Sequence, residues 1–123
     1  MAKHILIVDD TYEILYLMRM MLEEYHHQVS VLNMGAPVVE FVRANRPDLI
    51  ILDIKLTDIS GIEVLHELKA DPDTSSVPVI AYTASVSDAD KVTKLIAAEP
   101  ERYGDTRVLQ KPFAIDELLS IVS

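Results

Sequence analysis

The chain of 123 residues contains no cysteine and only three glycines, and its acidic residues far outnumber its basic ones. Without cysteine there is neither a disulfide framework nor thiol chemistry. Three glycines are too few for a glycine-rich phosphate loop of the kind that binds nucleotides or flavins. A formal net charge of −9 argues against unaided binding of nucleic acid, because phosphate contacts need a basic surface.

Long hydrophobic runs are also missing, although half of the residues are hydrophobic. No apolar stretch approaches the length of a membrane span, and residues 1–4 leave no room for a signal peptide before the first apolar run. We therefore expect a cytoplasmic protein without membrane insertion. The length fits one domain, and the hydrophobic fraction is large enough for a core.

Short apolar runs alternate with segments of helical periodicity along the whole chain. A run of four or five apolar residues, rich in β-branched types, is typical of a strand buried on both faces. The runs predict strands at 5–8, 29–32, 49–52, 77–82 and 106–109, and the periodic segments predict helices at 11–25, 35–46, 60–70, 87–98 and 114–122. Five strand–helix alternations imply a parallel sheet with right-handed crossovers and helices on both faces.

Capping and breaking residues set several of the predicted helix ends. Ser60 and Glu63 match a capping box, and residues 87–90 are similar to one, so each marks a helix start. Pro47 and Pro100 mark the ends of the helices that precede them. The first helix carries an apolar stripe that we expect to face the core, formed by Ile14, Leu15, Met18, Met21, Leu22 and Tyr25.

Acidic side chains directly follow two of the predicted strands. Asp9 and Asp10 come after the first apolar run, and Asp53 comes after the third. The carboxyl ends of parallel strands form the edge at which open α/β sheets bind ligands. Three carboxylates that converge there repel one another unless a hard cation offsets their charge. The sequence therefore predicts a Mg²⁺ site in which one carboxylate is a candidate phosphoryl acceptor.

The pattern becomes specific when the ends of four strands are taken together. The features are Asp9-Asp10, Asp53 followed eight residues later by Gly61, Thr83-Ala84, and Lys111-Pro112-Phe113. Over essentially its whole length the chain resembles the receiver domain of bacterial two-component response regulators. This resemblance implies an α/β, flavodoxin-like (βα)5 doubly wound parallel sheet in the strand order 2-1-3-4-5, as one receiver domain over residues 1–123 with no output domain.

The resemblance also implies a function and a metal shell. Asp53 would accept a phosphoryl group from a histidine kinase or a histidine phosphotransfer protein, and the phosphorylated state would alter contacts with an unknown protein target. Mg²⁺ would be held by Asp10, by Asp53 and by the backbone carbonyl of Lys55. Asp9 would act through a bound water molecule.

Two further residues have roles implied by the resemblance. Lys111 would give a phosphoryl oxygen a fixed positive charge, its side chain aimed by a cis bond before Pro112. Thr83 would move its hydroxyl toward the phosphoryl group together with the loop after the fourth strand. Taken singly, these residues have simpler interpretations: Asp10 as a helix cap, Lys111 as a solvated lysine and Thr83 as a turn cap.

The chain departs from the family where the phosphoryl group is usually coupled to the output surface. The position three before the lysine is usually aromatic, and here it is Val108. Tyr82 adjoins Thr83, but neighbouring strand residues face opposite sides, so it is not an obvious substitute. Tyr103, in the loop before the fifth strand, is a candidate.

Three more departures concern loops and a helix end. The loop 99–105 is longer than usual and lacks the small Ala-Gly-Ala turn. Leu56-Thr57 replaces a common Met-Pro after the acceptor. Ala114 stands where a cap is usual, which costs about 1 kcal/mol.

Two alternatives stand beside a switching receiver. The first is a receiver-like interaction module that keeps the fold but does not switch, which Val108 and the long loop favour. The second is a turnover enzyme, either an aspartyl phosphatase of the haloacid-dehalogenase type or a flavin-binding protein. Such phosphatases place a second aspartate two residues after the nucleophile, where this chain has Lys55.

Overall fold

A single parallel sheet carries every strand of the described chain. The computed structural model describes residues 2–112 and 115–122, and of Ile115 the backbone alone. The strands are β1 (His4–Val8), β2 (Gln28–Leu32), β3 (Leu49–Asp53), β4 (Val79–Thr83) and β5 (Thr106–Gln110). The helices are α1 (Tyr12–Glu24), α2 (Val38–Asn45), α3 (Gly61–Ala70), α4 (Val86–Ala98), α5 (Pro100–Tyr103) and α6 (Ile115–Val122). The strand order β2-β1-β3-β4-β5 confirms the predicted flavodoxin-like arrangement.

Different helices cover the two faces of the sheet, because alternate strand residues point to opposite sides. One face packs against α2, α3 and α4 through the strand residues Leu6, Val8, Ile50, Leu52, Val79 and Ala81. The other face packs against α1 and α6 through Ile5, Ile7, Leu49, Ile51, Ile80, Tyr82 and Leu109. β3 and β4 are buried along their whole length, as their continuous apolar runs predict.

The β3–α3 connection is held close to the end of β3. Ser60 caps α3 as predicted, its hydroxyl accepting a hydrogen bond from the N–H of Ile62 at 3.2 Å. The N–H of Gly61 donates to the carbonyl of Ile54 at 2.8 Å. A Cβ on Gly61 would lie 2.3 Å from the carbonyl oxygen of Asp53, so only glycine lets the helix begin this near to the strand.

The predicted start of the fourth helix is wrong. Ser85 is the N-cap of α4, with an extended backbone and a hydroxyl that accepts from the N–H of Asp88 at 3.2 Å. Ser87 therefore lies inside the first turn rather than before it. A serine cap needs extended backbone dihedrals, and Ser85, two residues after the end of β4, has them.

Two further expectations are corrected by the structure. The segment 99–105 is not entirely a loop, since Pro100–Tyr103 forms the one-turn helix α5, with proline at a position where its missing N–H costs little. Tyr25 does not belong to the buried stripe, because α1 ends at Glu24 and the tyrosine is 57% exposed. The remaining stripe residues do pack on the α1–α6 face of the sheet: Ile14, Leu15, Met18, Met21 and Leu22.

The longest helices of the described chain, α1 and α4, have 13 residues each. Within residues 2–112 and 115–122, no helix combines the length and hydropathy that a membrane crossing requires. The predicted missing cap at Ala114 lies outside the described residues, as does Phe113 of the Lys-Pro-Phe triplet.

Candidate functional site

A row of polar side chains crosses the carboxyl edge of the sheet. Asp53 pairs in register with Tyr82 on β4, and Asp9 directly follows β1 on the other side of β3. The residues two positions before each of these three all pack against α1 and α6: Ile7, Ile51 and Ile80. Because strand residues two apart share a face, the three polar side chains share one side of the sheet at its edge.

Three carboxylates meet at this edge, as the sequence predicts. Asp9, Asp10 and Asp53 each present an oxygen, and these oxygens lie within 4.8 Å of one another. Asp9 is fully buried, Asp53 is 4% exposed and Asp10 is half-buried. Carboxylate oxygens are the donors that a hard cation such as Mg²⁺ prefers, so the donor set fits this ion.

The electrostatics of Asp53 favour a cation at the same place. Burial raises the pKa of its carboxyl from 3.8 to about 6, and repulsion by Asp9 adds to the effect. The positive charge of Lys111 and the N–H of Lys55 lower the pKa of Asp53, but they offset only part of the increase. The metal-free site therefore carries more negative charge than its own lysine neutralises.

A pH dependence of stability follows from this shift. The folded state disfavours ionised Asp53, which lowers the free energy of unfolding. This destabilisation is complete above about pH 6 and is lost as the pH falls toward 3.8. In metal-free buffer we expect Asp53→Asn to be more stable than the wild-type protein at about pH 7, by about 1 to 2 kcal/mol after discounting for solvent screening. We expect this difference to shrink at about pH 5 in paired denaturant titrations. A difference that stays constant with pH would contradict the assigned origin of the penalty.

Lys111 occupies a central position among the acids. Its Nζ lies 3.7 Å from Oδ2 of Asp9 and 3.8 Å from Oδ2 of Asp53. The same nitrogen lies 4.5 Å from the centre of the Tyr82 ring, a cation–π distance. The peptide bond between Lys111 and Pro112 is cis, as the resemblance implies. The structure thus brings the predicted lysine to the predicted carboxylates.

Thr83 ends β4 on the opposite face from Tyr82. It is 1% exposed, and its hydroxyl accepts from the N–H of Ser85 at 3.0 Å, which supports the start of α4. Its backbone carbonyl accepts from the N–H of Lys111 at 2.8 Å, joining the ends of β4 and β5. Thr83 therefore links the carboxyl edge of the sheet to the first turn of α4.

The aromatic partner expected for Thr83 is not supplied by Tyr103. Tyr103 is 1% exposed in the core on the α2–α4 face, and its hydroxyl lies 3.0 Å from Nδ1 of His66 on α3. It precedes β5 at the amino edge of the sheet, whereas Thr83 lies at the carboxyl edge. The two edges are four residues apart along β4, roughly 13 Å. Val108 is half-buried against the same core and carries no ring.

Lys55 contacts the site through its backbone and α4 through its side chain. Its N–H donates to Oδ1 of Asp53 at 3.1 Å. Its Nζ lies 3.5 Å from Oδ2 of Asp88, in the first turn of α4. The predicted metal contact of its carbonyl stays a prediction.

Sequence reasoning missed one residue of this site. The hydroxyl of Tyr82 donates a hydrogen bond to Oδ2 of Asp9. Tyr82 does face away from Thr83, as the strand alternation predicts, but the face it points to is the one that carries Asp9 and Asp53. The alternation of side chains between the two faces of β1, β3 and β4 is the signal that predicts the position of Tyr82 beside Asp9 and Asp53.

The fold and the acidic edge define a flavodoxin-like α/β protein with a candidate magnesium site. The family model described as the response regulator receiver domain matches residues 5–123, so the chain belongs to this family. Protein PilH of Pseudomonas aeruginosa is 33% identical over 119 residues, which cover 97% of this chain and 93% of PilH. The receiver domain of a signal transduction histidine kinase from Syntrophus aciditrophicus is 32% identical with a TM-score of 0.83, covering 98% of this chain and 87% of that one.

Other relatives are longer than this chain. The probable transcriptional regulatory protein TcrX of Mycobacterium tuberculosis is 31% identical over 94% of the chain, which spans only 46% of TcrX. Receiver domains are signalling modules rather than turnover enzymes, which disfavours the phosphatase and flavin-binding alternatives. In general they bind Mg²⁺ at an acidic pocket, are phosphorylated by histidine kinases and interact with downstream targets.

Proposed function

We propose that Asp53 accepts a phosphoryl group from a phosphohistidine of a histidine kinase or a histidine phosphotransfer protein, in a reaction that requires Mg²⁺. The observation that carries the proposal is the position of Asp53, a nearly buried carboxylate between two other acids and a lysine. We also propose that the phosphorylated state acts by altering contacts with another protein.

The residues around Asp53 support an in-line transfer. An oxygen of its carboxylate forms the new bond to phosphorus while the bond to the donor imidazole nitrogen breaks. The N–H of Lys55 donates a hydrogen bond to Oδ1 of Asp53, and Oδ2 of Asp53 lies 3.8 Å from the Nζ of Lys111. Both the acceptor and the transferred group are anionic, so positioning and charge neutralisation provide most of the catalysis.

The metal shell proposed here uses this chain's own oxygens. Asp10 and Asp53 would bind Mg²⁺ directly with the carbonyl of Lys55, and Asp9 would act through water. Both oxygens of Asp9 already accept hydrogen bonds, from the N–H of Thr11 and from the hydroxyl of Tyr82, which supports an indirect role. When bound, the ion supplies positive charge to the phosphoryl oxygens and to the acceptor.

An apolar groove beside Lys111 supports the proposed contact with a protein donor. The groove lies between α1 and the loops after β4 and β5, and its volume is about 540 Å³. Its walls are Ile14, Leu17, Met18, Met21, Ala84, Lys111 and Pro112. Exposed apolar surface of this kind is typical of protein contact sites, and helices dock into such grooves through apolar side chains.

The experiment that tests the proposal uses a small phosphodonor. We expect incubation with phosphoramidate or acetyl phosphate and Mg²⁺ to add the mass of one phosphoryl group to the intact protein. Excess chelator should prevent the gain, since the three carboxylates would then repel the incoming anion. An unchanged mass with small donors, together with no transfer from phosphorylated kinases, would contradict the proposal. Spontaneous loss of the added group over time would support the self-dephosphorylation that we also propose.

A non-switching module is the second candidate, and Val108 is the observation that favours it. The proposed switch uses Thr83, whose hydroxyl already supports the N–H of Ser85 at the start of α4. If the phosphoryl group draws this hydroxyl away, Ser85 loses that contact and the start of α4 rearranges. A module that does not switch would show no such change.

Thr83→Ala separates these two candidates. We expect the variant still to accept a phosphoryl group, but beryllofluoride and Mg²⁺ should shift the amide resonances of residues 84–92 much less than in the wild-type protein. Thr93→Ala is the matched control, because Thr93 lies on α4 and its hydroxyl bonds only the carbonyl of Ala89 among the described residues. Full shifts in Thr83→Ala would mean that the response runs through other residues.

A further inference from the structure

Tyr82 is a buried phenol inside the acidic site, and the functions above leave it without a role. It is 0% exposed, and it lies beside Asp53 in the register of the sheet. Burial raises the pKa of the hydroxyl far above its usual range, and the negative charge of Asp9 adds to this. The phenol donates a hydrogen bond inside the site.

The Tyr82 hydroxyl donates a hydrogen bond to Asp9, the most buried acid of the site. Asp9 is 0% exposed; its Oδ1 accepts the N–H of Thr11 at 2.8 Å, and its Oδ2 accepts the Tyr82 hydroxyl. The Nζ of Lys111 lies 3.7 Å from the same Oδ2. The carboxylate of Asp9 is thus engaged with donors of this chain before any ion arrives.

Asp10 differs from its neighbour in this respect. In the described part of the chain no hydrogen bond to its carboxylate is found, and it is half-buried at the rim of the site. The two adjacent acids are therefore unequal as ligands, because an ion would have to compete with a buried phenol for Asp9 but not for Asp10.

We propose that Tyr82 is a positioning residue that keeps Asp9 out of direct contact with the metal ion and thereby lowers the Mg²⁺ affinity of the site. The inference rests on the proposed function and adds a residue that sets the strength of its metal site. Removing only the hydroxyl leaves a buried oxygen of Asp9 short of one donor, and a bound cation replaces that donor. Phenylalanine keeps the aromatic ring that the Nζ of Lys111 contacts, so Tyr82→Phe tests the hydroxyl alone.

The test is a calorimetric titration of the full chain with Mg²⁺ alone. We expect Tyr82→Phe to bind Mg²⁺ about tenfold more tightly than the wild-type protein, as the loss of one buried hydrogen bond predicts. Tyr103→Phe is the matched control: it removes the hydroxyl of the other fully buried tyrosine, at the far edge of the sheet, and should leave the affinity unchanged. An affinity in Tyr82→Phe that is equal to or weaker than the wild-type value overturns the inference.

A double-mutant cycle with Asp9→Asn shows whether the effect runs through Asp9. If it does, Tyr82→Phe changes the affinity in the wild-type background but not in Asp9→Asn, whereas a general packing effect would persist in both. Should Tyr82→Phe not fold, the single variants still decide. Asp9→Asn must then weaken Mg²⁺ binding much less than Asp10→Asn, and an equal loss overturns the inference.

The proposed function and this inference fail in different ways. A wild-type protein that binds no Mg²⁺ would overturn both. A wild-type protein that binds Mg²⁺ and takes up a phosphoryl group, with no change in affinity in Tyr82→Phe, would overturn the role of Tyr82 alone.

Discussion

Asp53→Asn is expected to abolish uptake of a phosphoryl group from phosphoramidate or acetyl phosphate. The substitution keeps the size of the side chain and one oxygen, but it replaces the anionic nucleophile with an amide that cannot attack phosphorus. The fold should survive, because asparagine removes a buried charge whose pKa is raised by desolvation and by Asp9. Intact mass after incubation with donor and Mg²⁺ is the measurement.

Asp90→Asn is the matched control for this loss. Asp90 is an exposed acid on α4, so the control removes the same charge outside the site. We expect it to gain one phosphoryl mass as the wild-type protein does. Persistent uptake by Asp53→Asn at unchanged stoichiometry would show that another residue is the acceptor, and fragmentation of the labelled protein would then locate it.

The strands of the sheet could be inferred from the sequence because burial dictates their apolar pattern, whereas the strand order was implied by the resemblance to the receiver family. The run 49–52 is apolar without interruption, as a strand covered on both faces requires, and β3 is central and fully buried. The positions of Asp9, Asp10 and Asp53 follow from the same logic, since residues directly after parallel strands share one edge. The convergence of their oxygens within 4.8 Å agrees with that expectation.

Features that depend on side-chain packing were harder to infer. Serines occur at both 85 and 87, and the choice of Ser85 as cap depends on where β4 ends, which propensity alone does not give. The sequence places Tyr103 in the loop before the fifth strand, yet it is buried in the core on the α2–α4 face of the sheet. The partner of Tyr82 becomes visible only once β1 and β4 are known to flank β3.

The unequal surroundings of the two adjacent acids lead to the other large expected effect. Asp10→Ala should weaken Mg²⁺ binding by at least about tenfold, because it removes a proposed direct ligand, and even partners outside the ligand shell commonly contribute that much. The same substitution should stabilise the metal-free protein by roughly 0.5 to 1 kcal/mol, since Asp10 adds to the repulsion that raises the pKa of Asp53. Calorimetric titration and denaturant unfolding in chelator measure the two effects separately.

The opposite signs of these effects make the prediction specific. Bound Mg²⁺ stabilises a folded protein by an amount that grows with the logarithm of its affinity, so the gain in stability on adding the ion should shrink in Asp10→Ala. Asp90→Ala carries the same change in net charge and should alter neither the affinity nor the gain, which excludes a general effect of the overall −9 charge. Unchanged affinity in Asp10→Ala would remove this residue from the metal shell, and a loss of stability in chelator would contradict the repulsion assigned to Asp10.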